Sequence, residues 1–97
     1  MRPSQVLAQH RSEVLEIMKR YPKATNLRIF GSIARGEDTE DSDIDFLVDA
    51  LPGATLFDLG GLQFDFEMLL GTSVHLLASD ELPLKCRNLI LQEATPI

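Results

Sequence analysis

Apolar positions along the chain fall into two periods. From residue 4 to 21, Leu7, Val14, Leu15, Met18 and Tyr21 recur at helical spacing, with Ile17 widening the stripe. Pro3 and Ser4 suit a helix start and Pro22 a stop, so the first element is expected to be one helix. "NLRIF", 26–30, alternates and meets Gly31-Ser32, which predicts a strand ending in a tight turn. "SIARG" reads as a short helix that Ser32 is placed to cap and Gly36 closes. "EDTEDS", 37–42, reads as a polar loop.

"DIDFLVDA", 43–50, predicts a second strand stopped by Pro52-Gly53. Leu56, Leu59, Leu62, Phe66, Leu69 and Leu70 form a helical stripe over 55–70, weakened in the middle by Gly60-Gly61. "GTSVHLLAS", 71–79, predicts a third strand, and 80–94 a last helix with Ser79 or Asp80 as cap and Pro83 in its first turn. The order α, β, short α, β, α, β, α predicts an α/β (α+β) fold: a small mixed sheet with helices packed mainly on one face.

Length and charge narrow the partners. The chain has 97 residues, which suits a single domain over 1–97. Its net charge of −6 argues against a general nucleic-acid sleeve, which needs clustered Lys and Arg. It permits a local basic patch, and Lys19, Arg20, Lys23 and Arg28 are close enough in sequence to form one. A single cysteine, Cys86, rules out an internal disulfide and reads as a packing or surface thiol. No apolar run reaches membrane length and the N-terminus does not read as a signal peptide, so a cytoplasmic protein with no membrane partner is expected.

The chemistry concentrates in "IFGSIARGEDTEDSDIDFLVD", 29–49. On a strand, Asp43 and Asp45 point to one face with Cβ atoms roughly 7 Å apart. Two oxygens at that spacing can converge on one divalent ion, and Mg²⁺ needs only one or two carboxylates beside waters and phosphate. Gly31 permits a tight turn, and Ser32 with the following amides opens a helix where an anion is favoured. An anion cradle on one strand end thus faces a cation clamp on the next, the pairing that phosphoryl or nucleotidyl transfer uses. The plainer reading is a solvated acidic loop whose acids guard a strand edge. A calcium loop is disfavoured, because the required Gly and closing Glu are missing.

The run "GSIARGEDTEDSDIDFLVD" resembles the signature of the DNA polymerase beta superfamily of nucleotidyltransferases. The form "GSxARG…SDIDFLV", the small size and the ending "LILQEATPI" resemble its minimal nucleotidyltransferases. The resemblance implies a polymerase-beta-like fold, with Gly31, Ser32 and Arg35 on the nucleotide phosphates and Asp43 and Asp45 on catalytic Mg²⁺. It implies ATP as substrate and, as partner, a co-encoded HEPN-domain toxin that receives AMP on a hydroxyl. No direct contact with nucleic acid is expected. One departure stands out. The superfamily usually places a third carboxylate on the next strand, where this chain has His75 in "GTSVHLL". His75 is therefore either a substituted base or the mark of a weakened enzyme that neutralises its partner by contact. Asp65 and Glu67, on the preceding helix, are expected to be solvated and His10 to lie on the surface.

Overall fold

The computed structural model describes residues 1–97. The chain runs α1 (Pro3–Gln9), α2 (Arg11–Met18), β1 (Ala24–Phe30), α3 (Gly31–Ala34), β2 (Ile44–Ala50), α4 (Leu56–Leu70), β3 (Val74–Ala78), a 3₁₀ turn (Ser79–Glu81), α5 (Arg87–Glu93) and β4 (Thr95–Pro96). The four strands form one mixed sheet in the order β3-β2-β1-β4. β1 is antiparallel to both its neighbours, while β2 and β3 run parallel with α4 as the crossover.

Alternation along β2 divides the sheet's two faces. Ile44, Phe46 and Val48, all fully buried, turn toward α1, α2 and α4. They join Val14, Ile17, Leu62, Phe66 and Leu70 in the main core, where the Phe46 and Phe66 rings lie 4.7 Å apart. Leu47 turns the other way, onto a small cluster with Phe30 and Leu82. The expected fold class therefore holds. The larger helices cover one face with Ile33 and Ala34 of the short α3 packed against the same core, and α5 lies with the smaller cluster through Ile90.

Three expectations change. The helix expected over 4–21 breaks at His10, whose N–H closes α1 on the Val6 and Leu7 carbonyls while its own carbonyl accepts from Val14 to start α2. The stripe from Leu7 to Val14 runs through that break, so periodicity hid it. The helix expected over 80–94 begins only at Arg87. Pro83 forces Leu82 into an extended conformation (φ −67°, ψ 132°), and Leu82 is buried there. The two-residue β4 was not anticipated, because a pair of residues carries no period. By contrast, α4 is unbroken across Gly60-Gly61, opened by a reciprocal Thr55–Asp58 cap.

No basic patch forms. Lys19 pairs with Glu16, Arg20 with Asp65 and Arg28 with Asp49, while Lys23 donates to the Gly53 carbonyl. Cys86 sits just ahead of α5 with its Sγ toward the Pro83 carbonyl. No helix is long and apolar enough to cross a membrane.

Candidate active site

β1 and β2 pair with Phe30 opposite Asp45, so the turn after β1 lies directly beside that acid. Gly31 makes the turn at φ +74°. A Cβ on Gly31 would stand 2.1 Å from Asp45 Oδ2 and 3.0 Å from its Cγ. Only a hydrogen fits there, and glycine also meets the positive φ without strain. Asp45 is thus packed against backbone on one side.

On its other side stands His75. The parallel pairing of β2 with β3 places Asp45 opposite His75. His75 Nδ1 lies 3.3 Å from Asp45 Oδ1, and Nε2 lies 3.6 Å from Asp43 Oδ2. The imidazole therefore sits between the two carboxylates. Asp43 precedes the first residue of β2 and is reached through the 37–42 loop, which is anchored rather than merely solvated. Asp38 in that loop is buried and accepts the Ser4 N–H at 2.9 Å.

The two acids differ in setting. The Asp45 side chain is 23% exposed, and its carboxyl is pushed above the ordinary range, first by burial and then by Asp43, with His75 and Arg35 opposing. A carboxylate whose ionised form is disfavoured gains most from a nearby cation.

The anion half differs from expectation. The cap of α3 is not made by the Ser32 side chain. Gly31 is already the first helical residue, and no side chain of the preceding Phe30 can cap. Glu93 of α5 fills that role: its Oε2 accepts the Gly31 N–H at 2.7 Å and its Oε1 accepts Arg35 Nη1 at 2.8 Å. The Glu93 side chain is 14% exposed. Burial pushes its carboxyl up, but the bonds from Arg35 and Gly31 outweigh this and hold it below the usual range. Arg35 is shared between Glu93 and Glu37, both of which raise its pKa. The Gly31 amide and the Arg35 guanidinium are therefore already engaged within the chain. In a helix of one turn, the Ser32 and Ile33 amides have no carbonyl four residues back, so they are the donors left to the turn.

Sequence reading thus brought together Gly31, Asp43, Asp45 and His75, placed Ser32 beside them, and missed Glu93. Asp65 and Glu67 lie away from this site. Asp65 is more engaged than expected, accepting the Tyr21 hydroxyl at 2.7 Å, and Glu67 accepts the Val74 N–H. His10 pairs with Glu13 near the surface.

A family model described as a nucleotidyltransferase domain matches residues 11–95. The chain belongs to that family. Protein adenylyltransferase MntA of Thermococcus cleftensis (strain DSM 27260 / KACC 17922 / CL1) is 34% identical over 88 residues, which span 91% of this chain and 85% of that protein. A solved structure provisionally described as a minimal nucleotidyltransferase is 39% identical, with a TM-score of 0.84 over 97% of this chain and 95% of its own. A toxin–antitoxin crystal structure with AMP-PNP has a TM-score of 0.74 over 88% of this chain and 69% of its own. At 19% identity that likeness shows the fold alone.

Nucleotidyltransferases generally work with divalent metals, and this one has the donor chemistry for it. The two carboxylates at the start of β2 lie on either side of the His75 ring, one against each ring nitrogen. No three His, Cys, Asp or Glu side chains form a ready-made cage. Two hard oxygen donors with waters and phosphate suit Mg²⁺, which rarely uses an all-protein cage. His75, with its side chain 61% exposed, has room to swing out of the gap.

Proposed function

We propose that the chain is a protein adenylyltransferase of the antitoxin kind, transferring AMP from ATP to a hydroxyl of a partner HEPN-domain toxin with Mg²⁺. The observation that carries this reading is the close approach of the Gly31 turn to Asp45, with Asp43 converging from the same strand. It sets the amides of the α3 turn beside a two-carboxylate clamp. The adenylyltransferase name of the Thermococcus relative and the AMP-PNP of the toxin–antitoxin neighbour support the choice of nucleotide and partner.

Each side chain then has a role. Asp43 and Asp45 hold the divalent ion, which when bound draws negative charge from the triphosphate. The Ser32 and Ile33 amides face the phosphates. Glu93 and Arg35 keep the Gly31 turn in place. The acceptor oxygen attacks the α-phosphorus, the bond from that phosphorus to the bridging oxygen breaks, and pyrophosphate leaves. His75, once its exposed ring has swung clear of the two acids, is the side chain beside the clamp that can take up the hydroxyl proton.

A second reading is contact neutralisation by a catalytically weakened nucleotide-binding module. It is favoured by one observation: an imidazole stands between the carboxylates where a third acid is expected. Incubation with labelled ATP, Mg²⁺ and the co-encoded partner separates the two. Label on the partner that vanishes with Asp43→Ala and with Asp45→Ala supports transfer. Neutralisation that survives both changes, with no label at any stage, supports contact and sinks the enzyme.

A further inference from the structure

Six acids crowd residues 37–45: Glu37, Asp38, Glu40, Asp41, Asp43 and Asp45. Like charges at that density repel and favour an open loop. Five of them are exposed or partly exposed. Asp38 alone is buried, at 6% exposure, and no other charged residue of the chain is. Its Oδ2 accepts the Ser4 N–H at 2.9 Å, across 34 positions of sequence. Burial pushes the Asp38 carboxyl up, but the Ser4 amide and hydroxyl and the charge of Arg2 outweigh this and hold it below the ordinary range. The N-cap of α1, Arg2, makes no side-chain capping bond, so the helix takes a cap from this distant loop.

We infer that Asp38 is a positioning residue for Asp43, tying the loop that carries this acid to the start of α1. The inference rests on the reading of Asp43 and Asp45 as holders of the divalent ion. The two acids are not held alike. Asp45 has ladder partners on both sides, Phe30 of β1 and His75 of β3, and the Gly31 backbone lies against its carboxylate. Asp43 stands one residue before the first ladder pair, Ile44 with Val74, and has no ladder partner. Its place is therefore set from upstream. There Thr39 and Ser42 close a turn on themselves, the Thr39 N–H donating to Ser42 Oγ and the Ser42 N–H to the Thr39 carbonyl. Over residues 38–42 the contact with Ser4 is the only hydrogen-bonded link to the rest of the chain. Without it the turn and Asp43 swing freely on the strand start, and repulsion among the acids drives them outward.

The bond sets the size of the effect. The tie cannot pass more to the clamp than it is worth itself, and a hydrogen bond to a charged partner corresponds to about tenfold to about a hundredfold in metal affinity. Coupling runs both ways, so an ion at Asp43 also holds the start of α1 more firmly. An acid that only capped α1 would change stability and leave metal binding alone.

Mn²⁺ titration of the full chain, read by the electron paramagnetic resonance of the free ion, tests this beside thermal melting. Asp38→Ala is expected to weaken Mn²⁺ binding at least about tenfold. Asp38→Asn keeps an oxygen for the Ser4 amide and is expected to recover most of that loss. Val14→Ala opens a cavity in the main core and is expected to lower the melting temperature while binding Mn²⁺ as wild type does. In wild type the Ser4 amide resonance is expected to follow a Mg²⁺ titration. Equal Mn²⁺ affinity in wild type and Asp38→Ala overturns the inference and leaves Asp38 a cap for α1. Equal losses in Asp38→Ala and Val14→Ala overturn it as a general softening of the fold. A Ser4 resonance unmoved by saturating Mg²⁺ in wild type overturns it whether or not Asp38→Ala folds. A wild type that binds neither ion is a different failure: it removes the clamp itself, and the positioning role with it.

Discussion

Gly31→Ala separates backbone strain from site geometry, because the structure supplies its own control. The new methyl must adopt φ +74°, which costs an L-residue about 1–2 kcal/mol. It must also stand 2.1 Å from Asp45 Oδ2 and 3.0 Å from Cγ, where carbon needs about 3.5 Å. Asp45 is fixed by ladders to β1 and β3, so the backbone cannot yield and the carboxylate must retreat by about 1 Å or change rotamer. Gly36→Ala meets the same strain at φ +71° with nothing within 4 Å. Urea unfolding is expected to show both variants less stable by about 1–2 kcal/mol. Only Gly31→Ala is expected to lose Mn²⁺ binding, read as paramagnetic broadening around Asp45, and to cut AMP transfer about 100-fold or more. Wild-type Mn²⁺ binding and transfer in Gly31→Ala, or equal losses in the two variants, would refute the account of this turn.

Three further outcomes follow from the same coordinates. Glu93→Gln weakens the bond to the Gly31 amide and costs about 1–3 kcal/mol at neutral pH. Since the Glu93 carboxyl is held below its ordinary value of 4.5, its stabilisation is complete above that value and disappears as pH falls through the lowered one. Wild type and Glu93→Gln therefore converge in urea midpoint in acid, and a gap that widens below pH 4.5 contradicts the assignment. His75→Asp adds a third acid beside Asp43 and Asp45. The metal-free protein is expected to melt lower and to gain more from added Mg²⁺ than wild type in a thermal-shift titration, and an unchanged Mg²⁺ response counts against the clamp. Phe66→Ala, which removes a fully buried ring packed at a tilt against Phe46, is expected to cost about 3–5 kcal/mol by denaturant unfolding.

What the sequence disclosed follows a physical line. Features set by neighbours in sequence were legible: the alternation in β2, the apolar stripe of α4, the glycine turn after β1, and two acids two residues apart. Breaks that leave the stripe intact were not, as at His10, where Val14 keeps the phase of Leu7 across two helices. The role of Pro83 was visible as a constraint but misjudged in extent, because burial of Leu82 holds the chain extended beyond the minimum the ring demands. The bulge in β1 around Asn26, at φ +55°, also depends on pairing with β2 and leaves no local sign.

Glu93 belongs to that last class, and it changes how the site reads. It lies 62 positions from Gly31, in the ending "LILQEATPI" that was noted only for its family likeness, and reaches the turn only because β4 and α5 fold back along β1. It shows that the chain needs an anion at the Gly31 amide before any nucleotide arrives, since a buried donor left without a partner is costly. It also sets the local charge. Asp43, Asp45, Glu37 and Glu93 surround the turn against the single guanidinium of Arg35. A bare triphosphate meets net repulsion in such surroundings, and the Glu93 carboxylate already holds the two donors that sequence reading assigned to it. In the proposed function, recognition of the nucleotide then rests on the Ser32 and Ile33 amides and on whatever positive charge Asp43 and Asp45 hold, with Arg35 and Glu93 maintaining the turn.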